Sequence, residues 1–172
     1  MAKSYLKQSK YLGEEIGLVS TTGRYLKDIE INMPIVGYLK AVGIHTKLTF
    51  LDWPTWMERI RIKKQEPICW LGWSEFTGDG AQNLYVVCHS KSPNSWFDER
   101  GVAGLDELVD LANSSFNQET RRKAIEKANV LVNQYYGFAI NYVPVKVYAM
   151  QKNVKWAPRL DEATQVLVKD DK

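Results

Sequence analysis

Reactive side chains are scarce in this sequence. There are two cysteines and two histidines in 172 residues. Cys69 lies inside an apolar run and Cys88 follows Tyr85-Val86-Val87. Both read as free thiols packed like small hydrophobes, with a disulfide as the alternative in an oxidising compartment. Cys69, Cys88 and His89 give three metal ligands at unsuitable spacing, so no zinc site is expected. His45 stands at the start of a strand pattern and His89 at the end of a short helical one, and no Gly-x-Ser-x-Gly elbow occurs. The acidic pairs Glu14-Glu15, Asp106-Glu107 and Asp161-Glu162 sit in surface-like contexts, and Gly78-Asp79-Gly80 lacks the spacing of a phosphate-binding loop. No catalytic set and no cofactor are expected.

Long apolar runs and a charge of one sign are also missing. Nothing approaches the roughly 20 apolar residues that cross a bilayer. The opening Met1-Ala2-Lys3-Ser4-Tyr5 has neither the apolar core nor the cleavage site of a secretory signal. The net charge is only +3. Arg59, Arg61, Lys63 and Lys64, and again Arg121, Arg122 and Lys123, read as solvated helix faces rather than a nucleic-acid patch. The length suggests one domain, residues 1–172, with room for a sizeable core.

What is present is an alternation of strand and helix patterns. Residues 2–10 read as a helix with Tyr5 and Leu6 inward. Ile16, Leu18 and Ser20 alternate as a strand, closed by Thr21-Thr22-Gly23. A helical pattern follows with Ile29, Met33, Val36 and Leu39 as its apolar face and Gly43 as its C′ residue; Pro34 demands a kink or a late start. Ile44, Thr46, Leu48 and Phe50 form a second strand, completing a β-α-β unit and hence a parallel pair. Asp52-Trp53-Pro54 opens a helix with Trp56, Met57 and Ile60 inward, and 68–73 reads as a third, buried strand. Short helices are predicted over 81–88 and around Leu105, Leu108, Val109 and Ala112. Asn117 caps a longer one whose inner face is Ile125, Ala128, Leu131, Val132 and Tyr135. Residues 138–140 and 143–145 read as extended chain, 165–168 as strand-like, and the tail after 168 as frayed.

The most informative stretch runs from Trp70 to Tyr85. A buried strand stops at Gly72-Trp73 and gives way to a loop carrying Glu75, Phe76, Thr77, two glycines and Asp79. Loops at strand ends are where open α/β sheets place ligands. Trp73 reads either as a ligand platform or as a core aromatic, and Asp79 either as a ligand contact or as a turn residue. Trp96, in a serine-rich loop, is the other aromatic with a platform context, whereas Trp53, Trp56 and Trp70 fit a core.

In their order, Ala2-Lys3, Tyr5-Leu6, Leu18-Val19-Ser20, Gly23-Arg24-Tyr25, Asp28 and Leu39 through Ile44 form one side of a familiar pattern. Trp53, Leu71-Gly72-Trp73, Thr77-Gly78-Asp79, Leu105-Asp106-Glu107-Leu108, Ala112, Arg121-Arg122 and Ala128 complete it. The chain resembles the C-terminal lobe of the family 5 extracellular solute-binding proteins of peptide and nickel ABC transporters. The resemblance implies an α/β fold, one lobe of a two-lobed periplasmic-binding-protein-like fold of class II, with a mixed sheet flanked by helices. It implies that Trp73 packs against the ligand and that Glu75 or Asp79 pairs with a peptide's amino terminus; Arg24 reads either as a contact for a carboxylate or as a surface residue at a helix start. Trp73, Glu75, Phe76, Asp79, Arg24 and Trp96 are therefore the candidate site residues. The implied partners are a peptide or similar small solute, a membrane permease, and a first, N-terminal lobe outside these residues, toward which about 145–172 crosses back. An extracytoplasmic location follows, in the periplasm or as a cell-surface lipoprotein.

Two other classes compete. The runner-up is the same lobe used as a protein-protein interaction or oligomerisation module, with Trp73 and Trp96 in an exposed apolar patch. A small hydrolase or transferase requires His45 or His89 beside Cys69 or Cys88 in a cleft.

Overall fold

The alternating segments fold as two crossovers around one central strand. In the computed structural model, which describes residues 1–74, 77–97, 101–159, 161 and 163, β1 (Ile16–Thr21) lies between β2 (Thr46–Leu51) and β3 (Ile68–Cys69). Both pairings are parallel, with Ile16 opposite Thr46 and Leu18 opposite Ile68. The strand that would make the sheet mixed, as expected, is not among those described. By internal contact the chain divides into two compact units, Met1–Trp73 and Ser74–Lys172.

In the first unit, α1 (Ala2–Gln8) precedes the sheet, α2 (Asp28–Val42) connects β1 to β2, and α3 (Trp53–Arg61) connects β2 to β3. With the right-handedness usual for such crossovers, a chain that moves outward from β1 and then back across it places its two connecting helices on opposite faces of the sheet. Leu18, Val19, Ser20 and Thr21 of β1 are buried. The Tyr11 hydroxyl donates to the Glu14 carbonyl at 2.7 Å and accepts from the His45 amide at 2.9 Å, which ties the turn before β1 to the start of β2.

Helix α2 runs through Pro34 rather than starting at it, so the expected late start is not met; Pro34 falls in its second turn and leaves one helical hydrogen bond unmade. Its buried face is not the expected one. Ile29 and Met33 are 43% and 58% exposed, and Asp28 and Asn32 are buried instead. The reason is a buried polar link. The Asn32 side-chain amide donates to the Ser20 hydroxyl at 3.0 Å and to the Asp28 carbonyl at 2.7 Å. Gly43 ends the helix with φ of 103°, a conformation that favours glycine, and Leu6 packs over it.

Helix α3 has Pro54 in its first turn and Asp52 as its cap, accepting from the Thr55 amide at 3.0 Å. Trp56 and Ile60 are buried, as expected. The third strand is shorter than 68–73, with ladder pairing only through Cys69 and one further bond from the Trp70 amide to the Val19 carbonyl at 2.8 Å.

The second unit is helical. Helix α4 (Gly80–Cys88), α5 (Leu105–Ser114) and α6 (Gln118–Gln134) enclose Leu84, Val87, Cys88, Phe97, Leu105, Val109 and Ala128. Small residues Ala81, Ala112 and Ala124 let the helices approach closely. Asn117 caps α6 by accepting from the Thr120 amide at 2.9 Å. Tyr135, expected inward, lies past the helix and is 47% exposed. Residues 138–159 contain no helix or strand, and Val143, Val145 and Val147 are 86%, 90% and 90% exposed. The expected strand at 165–168 lies outside the described residues.

A candidate ligand-binding edge of the sheet

Parallel strands end on the same side, so the loops after β1, β2 and β3 gather at one edge of the first unit. They bring Arg24, Tyr25, Trp53, Trp70, Gly72 and Trp73 to that edge. The loop after β1 is shaped by Asp28. Its buried carboxylate accepts from the amides of Arg24 at 3.2 Å, Tyr25 at 3.4 Å and Ile29 at 3.0 Å, supplying partners for donors that the helix start leaves open. Lys27 takes the left-handed conformation, φ 59°, that lets the chain turn back over Asp28.

The aromatic residues form one connected cluster. Tyr25 meets Trp70 edge-on at 5.2 Å and Trp53 edge-on at 6.5 Å, and Trp53 stacks on Trp56 at 5.4 Å. The Arg24 guanidinium lies over Trp53, 4.6 Å from the ring centroid. A guanidinium stacked on an aromatic face keeps its N–H edge available for a planar anion. The Tyr25 hydroxyl donates to the Gly72 carbonyl at 3.0 Å. A Cβ on Gly72 would stand 3.1 Å from the Tyr25 ring, so glycine permits this approach. Trp73, next in the chain, is 38% exposed. Asp52, at the same edge, has its carboxyl held below the ordinary 3.8 by the amide and then the hydroxyl of Thr55.

The structure thus brings two of the sequence-predicted residues, Arg24 and Trp73, to one edge. Glu75 and Phe76 lie outside the described residues. Asp79 and Trp96 belong to the second unit. There Asp79 caps α4, accepting from the Ala81 amide at 3.0 Å, and its other oxygen receives the Arg121 guanidinium. Trp96 is half-buried against the helical core and meets Phe138 at 5.3 Å. Sequence reasoning missed Tyr25 and Asp28 as organisers of the edge; Asp28, four residues after Arg24 and just before the helical pattern, was the available signal.

The second unit has its own features. An open groove of about 630 Å³ runs past Gly78, Ser115, Phe116, Arg121 and Ile125. His89 is buried, its ring against Tyr85 at 4.8 Å, its Nδ1 accepting from the Lys91 amide at 3.1 Å. Burial pushes the neighbouring Asp106 carboxyl up, but hydrogen bonds from the hydroxyl and amide of Ser90 prevail and hold it below its ordinary value. Among the described residues no cluster of histidine, cysteine and carboxylate side chains is arranged to hold a metal, and no helix is long and apolar enough to cross a membrane.

The chain shares its fold with part of the periplasmic binding proteins of peptide and nickel ABC transporters. The chain is similar in structure to the ABC transporter-associated periplasmic binding protein DppA from Helicobacter pylori, in complex with the peptide STSA. The TM-score is 0.65 at 19% identity, covering 78% of this chain and 27% of that one. It is similar to the dipeptide binding protein from Pseudoalteromonas sp. SM9913, in complex with Met-Leu. Here the TM-score is 0.66 at 15% identity, covering 78% of this chain and 28% of that one. A nickel ABC transporter structure from Bacillus halodurans is similar too, with a TM-score of 0.59 at 16% identity, covering 72% of this chain and 26% of that one. The chain therefore spans about a quarter of the length of these proteins. No protein-family model matches the sequence, and no curated protein matches it either.

Proposed function

We propose that this chain is the C-terminal ligand-binding lobe of the substrate-binding component of an ABC transporter, taking up peptides or a similar small solute without chemical change. The observation that carries the proposal is the meeting of Arg24 and the Gly72-Trp73 turn at the carboxyl edge of the sheet, in the fold of periplasmic peptide-binding proteins. Arg24 takes a ligand carboxylate and Trp73 supplies an aromatic surface, with Glu75, Phe76, Asp79 and Trp96 as further ligand-facing candidates. Asp79 is the weakest of these, since both its oxygens are already bonded.

The remaining part of a two-lobed protein would close over this edge, with ligand favouring the closed state by the contacts it gains there. Residues from about 145 onward would run toward that lobe, which accounts for the bare valines at 143, 145 and 147. The whole protein would act outside the cytoplasm and deliver its solute to a membrane permease. An isolated lobe makes about half the contacts, so its affinity for short peptides should be millimolar, about 4 kcal/mol. Titration of tryptophan fluorescence with a mixed short-peptide pool tests this, beside a Trp73→Ala control. A saturable change abolished by the substitution supports the proposal; micromolar binding by the lobe alone would contradict the shared-cleft arrangement.

The same exposed valines favour a second reading, an interaction or oligomerisation module. A mass in light scattering that rises with concentration, with no peptide response, supports that reading instead.

A further inference from the structure

The two ligand-facing residues sit on different loops, Arg24 after β1 and Trp73 after β3, with nothing in local sequence to fix their spacing. One side chain spans the gap. Tyr25 is held at its backbone by the Asp28 carboxylate, which the buried Asn32 amide in turn anchors to Ser20 of β1 through the Asp28 carbonyl. Its ring is wedged edge-on against Trp53 and Trp70. Its hydroxyl reaches the carbonyl of Gly72, the residue before Trp73. The bond crosses 47 residues of sequence and is the last link in a polar chain that starts inside the sheet.

We propose that Tyr25 is a positioning residue, which through its hydroxyl fixes the Gly72-Trp73 turn relative to Arg24 and so sets the spacing between the anion-binding and aromatic ends of the ligand site. This rests on the assignment of that edge as a binding site. Tyr25→Phe is the discriminating variant because it keeps the ring contacts and removes only the oxygen. A rigid link of this kind matters most for a ligand that touches both ends at once. A small anion that touches Arg24 alone has no use for it.

The test has an arm without ligand and an arm with it. Hydrogen exchange followed by mass spectrometry compares the peptide covering 70–74 with peptides from β1 and β2 in wild type and Tyr25→Phe. Exchange about fivefold faster over 70–74, with β1 and β2 unchanged, is expected from loss of one hydrogen bond. Unchanged exchange there, or equal acceleration everywhere, would overturn the proposal, the second outcome marking a merely structural tyrosine. In the second arm, trialanine and acetate are titrated separately against tryptophan fluorescence. Trialanine affinity should fall about fivefold in Tyr25→Phe while acetate affinity stays the same. Equal affinity of both proteins for trialanine would overturn the positioning role. A wild-type protein that answers to neither ligand defeats the binding assignment, and the exchange arm still decides whether Tyr25 holds the turn.

Discussion

Arg121 of α6 grips the carboxylate of Asp79 with one guanidinium nitrogen and the Ala112 carbonyl with another, fastening the cap of α4 and the last turn of α5 to one side chain. Arg121 is largely buried and Asp79 is 41% exposed, so the ion pair is partly screened and the hydrogen bond to Ala112 carries much of the effect. Arg121→Ala should lower stability by about 1 to 2 kcal/mol in urea unfolding. Arg121→Lys should recover only part of this, because a single ammonium cannot serve two acceptors in fixed directions.

Arg24, stacked on Trp53, is the proposed contact for a ligand carboxylate. Wild type should prefer a peptide with a free carboxyl terminus over its C-terminal amide by about tenfold, the scale of a charge-assisted hydrogen bond. Arg24→Ala should erase the preference while leaving the melting temperature alone. Paired titrations of acid and amide forms measure it.

Gly17 in β1 lies against the Glu66 side chain. A Cβ at position 17 would overlap the Glu66 carboxylate, the far end of a flexible, part-exposed side chain that also reaches Arg59 at 3.5 Å. Gly17→Ala should therefore push the Glu66 carboxylate off Arg59 and cost under about 1 kcal/mol. Glu66→Ala in the same chain should return most of it, and a double-mutant cycle reads the difference.

The strands of the β-α-β unit and the helix caps were legible because they depend on local spacing. Leu18 and Ser20, Leu48 and Phe50 alternate, Gly43 stops a helix, and Asp52 and Asn117 start helices where the sequence places them. The buried face of α2 was not legible. Hydrophobic periodicity favours Ile29 and Met33, whereas burial of Asp28 and Asn32 comes from hydrogen bonds that join separate elements. The site was half legible for the same reason. Arg24 and Trp73 stand at strand ends that patterning finds, but the tyrosine bridging their loops is a tertiary contact with no sequence period. Trp96 in its polar loop suggested exposure, and Phe138 with the helical core half covers it.

Acid should weaken the fold. Asp52 and Asp106 both titrate below their ordinary 3.8 in the folded protein. A depressed carboxyl contributes fully above its unfolded value and loses that contribution as pH falls through the folded one, because the unfolded chain binds the proton first. Urea midpoints should thus be level near neutrality and fall on acidification below about pH 4. Asp52→Asn, which retains an oxygen to cap α3, should lose less between pH 5 and pH 3 than wild type, a comparison the same midpoints provide.

Both thiols should be sluggish. Burial and then the charge of Glu66 push Cys69 up to about 11, and burial pushes Cys88 up to about 12. Little thiolate exists at pH 8 for either, so Ellman's reagent should label the native protein far more slowly than the same protein in guanidinium. Rapid native labelling of one thiol would show that its surroundings open readily.

The winding of the sheet sets an order of assembly. β1 is the middle strand, yet its neighbours arrive thirty residues later for β2 and fifty for β3, as Ile16 opposite Thr46 and Leu18 opposite Ile68 record. No tight hairpin shortens either wait, so each pairing must close a long loop before any contact repays it. Helices α5 and α6 meet across the short turn at 115–117. The helical half can therefore take shape while the strand half is still searching, and the edge that carries Arg24 and Trp73 is complete only once the last short strand has docked.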